Sequence, residues 1–262
     1  MVSLVPQLAA ARQYDLSQPY FTGMPHHPNH PPFLFSLAKK HGDYLTPAGT
    51  SSASEAMTLG GHVGTHIDSL CHFSCNGYLH GNIAAEPNQS YGGGLKVHSV
   101  DKLPLIVKRG VLLDIATLAG FDELPEDFSI KPEHFDEAER AHRVKVRAGD
   151  VVVVRTGWAR FWNDAARYIR QTRGPGPELE GAKWLSSRGV FAAGSDTIAF
   201  EKVPATNMPV HVHLLVESGI YIMEALNMEQ LAADRVYEFV FVAAPLRIQG
   251  GTGSPIRPFA LI

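Results

Sequence analysis

A dozen residues constrain this chain more than any others: Gly61-His62-Val63-Gly64-Thr65-His66-Ile67-Asp68-Ser69-Leu70-Cys71-His72. Three histidines and an aspartate fall within them. Imidazole nitrogen and carboxylate oxygen are the ligand atoms that Zn²⁺, Mn²⁺ and Fe²⁺ prefer. His66 and Asp68 stand two apart, so on an extended segment both side chains point to the same side. Gly64 permits a sharp turn that swings His62 round to the same point. Three ligands of this kind can hold a metal and leave positions open for water and substrate, as a catalytic site requires. His72, four beyond Asp68, reads as an acid/base beside that site rather than as a further ligand. The bland alternative is a chance cluster in a chain of 13 histidines. It accounts poorly for His62, His66 and Asp68 together, set among glycines and a threonine, with Glu55 the nearest other acid and in a different segment.

The pattern His-x-Gly-Thr-His-x-Asp-x-x-x-His is met by His62, Gly64, Thr65, His66, Asp68 and His72. It resembles the signature of the metal-dependent cyclase family, which includes bacterial kynurenine formamidase and isatin hydrolase. Kynurenine formamidases usually carry Ala-Pro after the aspartate. This chain has Ser69-Leu70 and looks more like the isatin hydrolase side of the family. The resemblance spans Asp15 to Arg257 and implies one domain over 1–262, an α/β fold of the swivelling β/β/α type with a β-barrel-like core. It also implies a downstream histidine and a glutamate that complete the site, as ligands of a second metal or as groups behind the first. Glu224, an acid at the end of an apolar run, fits the glutamate, because a buried carboxylate needs a partner. The histidine lies between His211 and His213, with His211 preferred. The implied cofactor is Mn²⁺ or Zn²⁺, one or two ions. The implied substrate is a small aryl amide, either isatin-like and cyclic or an N-formyl arylamine, cleaved by metal-activated water with His72 carrying the proton. In the resembled family the early segment walls the substrate pocket, which makes Tyr20, Phe21, Phe33 and Phe35 the candidate aromatic wall here. The segment from Pro245 to Arg257, with Gly250-Gly251-Thr252-Gly253-Ser254-Pro255, resembles the family's C-terminal scaffold near the site. The family resemblance further suggests a homodimer or homotetramer.

Composition narrows the alternatives. The 262 residues are 45% hydrophobic and 19% charged, enough for a substantial core. Formal net charge is -3 with no basic run, which argues against nucleic acid or an anionic membrane as partner. The apolar runs fall short of the ~20 residues that span a bilayer. Met1 to Arg12 has no basic n-region and does not read as a signal peptide, so the expected location is cytoplasmic. Cys71 and Cys75 lack a second cysteine pair for a zinc ribbon and read as free thiols. No Gly-x-Ser-x-Gly elbow supports a serine hydrolase. The remaining rivals are a metal-dependent cyclase or dehydratase, a lactone hydrolase, and a non-catalytic metal-binding module.

Along the chain, Pro25-His26-His27-Pro28-Asn29-His30-Pro31-Pro32 excludes helix and central strand and reads as a fixed irregular loop. Glu55 to Gly60 reads as a strand delivering the metal stretch, and Asn76-Gly77 as a tight turn. His80 reads as a pocket or surface residue. Buried strands are expected at Gly110–Asp114, Val151–Val154, Gly189–Ala193 and Glu238–Ala244, and a strand ending at Glu224. Helices are expected over Ile130–Arg143, Trp158–Arg170, Glu178–Ser187, Pro209–Gly219 and Asn227–Asp234. Asp196, at a strand end, reads as a turn or cap residue.

Overall fold

The four valines from Val151 to Val154 run through the middle of the fold. The computed structural model describes residues 4–262, and in it they belong to the nine-stranded sheet that dominates the chain. In chain order its strands are β1 (Gln13–Asp15), β2 (His66–Asp68), β3 (Ile106–Asp114), β4 (Val151–Arg155), β5 (Ala192–Ser195), β6 (Tyr221–Glu224), β7 (Glu238–Ala243), β8 (Gly253–Pro255) and β9 (Phe259–Leu261). Their order across the sheet is β1-β9-β7-β3-β4-β5-β6-β2-β8. The four central strands, β3 to β6, are parallel. The strands flanking them on each side are antiparallel.

Side-chain alternation divides the core. Val152 and Val154 face a layer with Phe135, Ala182, Leu185 and Leu214, drawn from the crossover helices. Val151 and Val153 face the other way, into a cluster with Tyr14, Ile67, Met223 and Phe241. A parallel strand covered on both faces must be apolar at every position, and that is why four consecutive valines are tolerated here. Tyr14, Ile67 and Phe241 come from strands far apart in the sheet, yet they share one cluster. The sheet therefore curls as a half-barrel, in agreement with the expected swivelling β/β/α cyclase-type fold.

The crossover helices Pro132–His142 and Leu179–Ser187 lie where the sequence pattern puts them. Arg143 ends the first of these in the left-handed conformation. Trp158–Arg170 is not one helix. A 3₁₀ turn, Trp158–Phe161, gives way to a short helix, Ala165–Ile169, which Asp164 caps by accepting from the Arg167 N–H at 3.0 Å. An aspartate that bonds backbone N–H groups starts a helix more readily than it continues one. Pro209–His211 is helical and passes into a wide π turn over Val212–Ser218, closed by Gly219 at φ 67°. Asp196 accepts from the N–H and hydroxyl of Thr156 and the N–H of Gly157, and so ties β5 to the turn after β4.

One strand has a different role from the one expected. Ser54–Thr58 does not enter the sheet beside the metal stretch. It pairs with Leu34–Lys39 in a separate two-stranded hairpin, and nearly all its residues are exposed. Asn76 and Gly77, both at positive φ, form the tight turn between Cys75 and Tyr78. Both cysteines are free. Met1–Ser3, at the head of the stretch weighed as a leader, lie outside the described residues. Among the described residues no helix is long and apolar enough to cross a membrane.

Candidate metal centre

Strand β2 is three residues long and buried throughout. It is held on both edges. His66 stands opposite Glu224 on β6 and Pro255 on β8, and Asp68 stands opposite Ile222 and Gly253. The two-residue spacing puts His66 and Asp68 on one face while Ile67 points into the core. The turn before β2 explains the small residues of the motif. Gly64 has φ 68°, and a Cβ there would lie 2.4 Å from the Tyr20 ring. The Tyr20 hydroxyl donates to the carbonyls of Val63 and Thr65 at 2.9 Å each. The Thr65 hydroxyl donates to the Ala225 carbonyl at 2.6 Å and accepts from the Gln18 N–H at 2.8 Å. The loop is thus fastened to β6 and to the chain after β1.

The donor atoms converge. His62 Nδ1 lies 2.6 Å from Asp68 Oδ1, and His66 Nε2 lies 3.5 Å from that oxygen and 3.4 Å from Glu224 Oε2. His211 Nε2 lies 3.2 Å from Glu224 Oε1 and 3.9 Å from Asp68 Oδ2. The ligand atoms of His66, Asp68 and Glu224 lie within 4.8 Å of one another, as do those of His62, Asp68 and His72. Two of these buried atoms, His66 Nε2 and Asp68 Oδ2, have no hydrogen-bond partner. His66 Nδ1 donates to the Gly64 carbonyl at 2.8 Å, so in the neutral ring the lone pair is on Nε2 and faces the carboxylates. Buried polar atoms are seldom left orphaned. An orphaned imidazole nitrogen beside an orphaned carboxylate oxygen fits a divalent cation.

Charge balance points the same way. Burial opposes charge on His66, but Asp68 and Glu224 outweigh it and raise its pKa to about 10. Burial likewise opposes charge on His211, and Glu201 and Glu224 raise it to about 10. Burial pushes Glu224 up, and His211 and His66 reverse this and take it down to about 2. Burial would also push Asp68 up, yet the surrounding imidazoles hold it well below the usual carboxylate range. The metal-free cluster is therefore acidic and takes up protons where a cation would sit. His72 differs. Burial, with the neighbouring His62 and His211, takes it down to about 3 although Asp68 and Glu224 oppose this. It is a neutral imidazole at pH 7, stacked on His62 with ring centroids 3.7 Å apart.

The structure brings together His62, His66, Asp68, His72, His211 and Glu224. His213 points elsewhere, to Glu217 and Ser186, because residues two apart on a helix face nearly opposite ways. His80 Nδ1 donates to the Val216 carbonyl of the π turn at 2.9 Å and takes no part in the cluster. The candidate aromatic wall needs correction. A cavity of about 380 Å³ opens on the cluster, and none of Tyr20, Phe21, Phe33 and Phe35 lines it. Tyr20, Phe21 and Phe33 pack in a core cluster with Met24 and Trp162 behind the metal loop, and Phe35 lies on the exposed hairpin. The apolar lining comes instead from Phe73 and from the segment Ile198 to Met208, and His27, Asn29 and His30 also line the cavity.

Two supporting residues are not individual candidates in the sequence, although Thr252 lies in the C-terminal segment expected near the site. Glu201, 1% exposed, accepts from His211 Nδ1 at 2.6 Å and from its backbone N–H at 3.0 Å. That bond fixes the tautomer and aims Nε2 at the cluster. The signal was available, since an acid between Phe200 and the Val203-Pro204 turn calls for a partner as Glu224 does. Thr252 lies 2.8 Å from His62 Nε2, and Gly253 is so close that a Cβ would meet the His62 ring at 2.5 Å. The glycine-rich C-terminal loop is therefore a backing for His62.

The putative cyclase family matches residues 14–202, which is more than half of the chain, and the protein belongs to that family. An isatin hydrolase from Roseibium aggregatum is 28% identical over 79% of this chain and 73% of its own length. A kynurenine formamidase from Bordetella petrii is 24% identical over 94% of this chain and 96% of its own. A crystal structure described as a novel cyclase superposes with a TM-score of 0.88 at 26% identity, covering 98% of this chain and 89% of that one.

Two outcomes are expected. His66 and His211, at about 10 in the metal-free protein, carry protons at neutral pH that a divalent ion must displace. Titration with Mn²⁺ or Zn²⁺ in buffers of different ionisation enthalpy should show release of about two protons, with binding that weakens as pH falls from about 8.5 to 6.5. An affinity flat across that range would contradict the assignment. Glu201→Ala should weaken metal binding roughly 10- to 100-fold, and Glu201→Gln, whose amide oxygen can still accept from Nδ1, should weaken it less. Competition with a chromophoric chelator measures both.

Proposed function

We propose that this protein is a metal-dependent hydrolase that cleaves the C–N bond of a small aryl amide, isatin-like or N-formylated on nitrogen. The observation that carries the proposal is the pair of orphaned buried atoms, His66 Nε2 and Asp68 Oδ2, beside a neutral His72 at the floor of a half-apolar cavity. The names of the relatives, isatin hydrolase and kynurenine formamidase, support the same class.

In this proposal His62, His66 and Asp68 hold Mn²⁺ or Zn²⁺. Glu224 and His211, which lie beside Asp68, would share that ion or hold a second. When bound, the cation supplies polarisation of the scissile carbonyl and acidifies water. The protein's own groups do the rest. Phe73, Ile198 and Met208 receive the aryl ring and keep bulk water from it. His72 accepts the proton as water adds to the carbonyl carbon, because its imidazole is neutral. It returns that proton to the nitrogen as the C–N bond breaks. Stacking on His62 fixes the ring that makes both transfers. Glu201 and Thr252 keep His211 and His62 from turning. A cytoplasmic location suits the two free thiols.

A second copy is part of the proposal. Leu34, Phe35, Leu37 and Met57 on the hairpin are each about half exposed, between 48% and 57%. A two-stranded hairpin is marginal in water without a surface to pack on, and adjacent Leu34 and Phe35 present apolar groups to both of its faces. We place the contact of a homodimer there.

Metal-stripped protein should hydrolyse neither isatin nor N-formylkynurenine, and reloading with Mn²⁺ or Zn²⁺ should restore turnover of at least one. His72→Ala should lose roughly 10²- to 10⁴-fold in kcat while binding metal as before. Unchanged turnover in that variant would remove His72 from the mechanism, and turnover without metal would remove the metal. In light scattering the wild type should have twice the 28.6 kDa chain mass and Phe35→Glu should approach a single chain. A monomeric wild type would sink the hairpin contact.

A further inference from the structure

The loop from Pro25 to Pro32 has no part in the proposed chemistry, yet it forms one side of the cavity. Four prolines fix its backbone, and it rests on the start of the metal stretch. A Cβ on Gly60 would come within 3.1 Å of Pro31 Cδ. A turn closes it, from the His30 N–H to the His27 carbonyl at 2.9 Å. The loop presents three polar side chains to the cavity, His27, Asn29 and His30. The His30 ring lies 5.1 Å from that of His62 and 6.2 Å from that of His72, centroid to centroid. His27 Nδ1 accepts from the Asn29 N–H at 3.2 Å, which leaves the proton of the neutral ring on Nε2. Among the described residues, His27 Nε2, the Asn29 side-chain amide and both ring nitrogens of His30 have no hydrogen-bond partner. A proline-locked loop with several unused N–H donors, set next to an apolar lining, has the make-up of a recognition wall.

We propose that His27, Asn29 and His30 select the substrate, by donating hydrogen bonds to an acceptor oxygen that the aryl amide carries outside its scissile carbonyl. This rests on the aryl-amide reading above and narrows it to amides bearing a second carbonyl or a carboxylate. A plain anilide lacks the group these donors need, and its binding leaves them unpaired. The three residues are not ligands of the ion. They act on the part of the substrate that does not react.

The test is calorimetric binding of phenylglyoxylate to the metal-loaded protein, with acetophenone as the control that lacks the carboxylate. His27→Phe with His30→Phe keeps ring volume and removes the donors. His27→Asn with His30→Asn restores N–H groups. The Phe pair should weaken phenylglyoxylate roughly tenfold or more, and the Asn pair should bind it within about threefold of wild type. Acetophenone should bind all three proteins alike. Equal phenylglyoxylate affinity in wild type and the Phe pair overturns the proposal, as does an Asn pair no better than the Phe pair. A parallel assay of isatin and N-formylkynurenine hydrolysis, both of which carry a second carbonyl, separates the two levels. Discrimination without any hydrolysis keeps the wall and discards the reaction class. Hydrolysis without discrimination keeps the hydrolase and discards the wall.

Discussion

Asp68 is ionised where water scarcely reaches it, at 1% exposure, and the rest of the site follows from that. Burial alone would push a carboxylate toward its neutral form. The imidazoles of His72, His62 and His66 hold it charged, and His211 faces its second oxygen. Removing any one of these partners would leave charge without compensation in a low-dielectric interior, where breaking a buried pair costs several kcal/mol. The same crowding of acids makes the cluster hospitable to a cation. Asp68, Glu224 and Glu201 bring three carboxylates to within one imidazole of each other.

Rigidity comes from the way the shortest strand is held. Strand β2 contributes only His66, Ile67 and Asp68, but it has a partner on each edge and its middle residue is in the core. The turn before it is clasped by Tyr20 and Thr65, and His62 is backed by Thr252 and Gly253 from the far end of the chain. His62 and His66, two of the candidate ligands, are thereby fixed by neighbours outside the cluster. The parallel strands β3 to β6 and their crossover helices supply the platform, and their loops supply the apolar side of the cavity. The π turn at Val212–Ser218 begins directly after His211, at the place where the helix must turn that ring toward Glu224.

Elements governed by local rules were legible in advance. His66 and Asp68 share a face because a strand alternates. Asn76-Gly77 turns because both residues accept positive φ. The valines of β4 are buried because nothing but a covered parallel strand tolerates them. Elements governed by distant partners were not legible. Tyr20 and Phe33 carry the composition of a pocket wall, yet the hydroxyl of one and the ring of the other are spent on the back of the metal loop. Trp158–Arg170 has helical periodicity throughout, and Asp164 interrupts it by capping. Ser54–Thr58 has the composition of a strand, but composition does not name a pairing partner.

The amino-acid order by itself determined the candidate ligand types, the spacing that places two of them together, and the family pattern that implied the fold. Those features depend on residues within a dozen positions of one another, where backbone geometry leaves few choices. Only the tertiary structure set His211 rather than His213 beside Glu224, backed His211 and His62 with Glu201 and Thr252, and set His27, Asn29 and His30 beside the cluster. Those choices bring together residues as far apart as His62 and Thr252, and no local periodicity records which distant side chains a curled sheet will bring into contact.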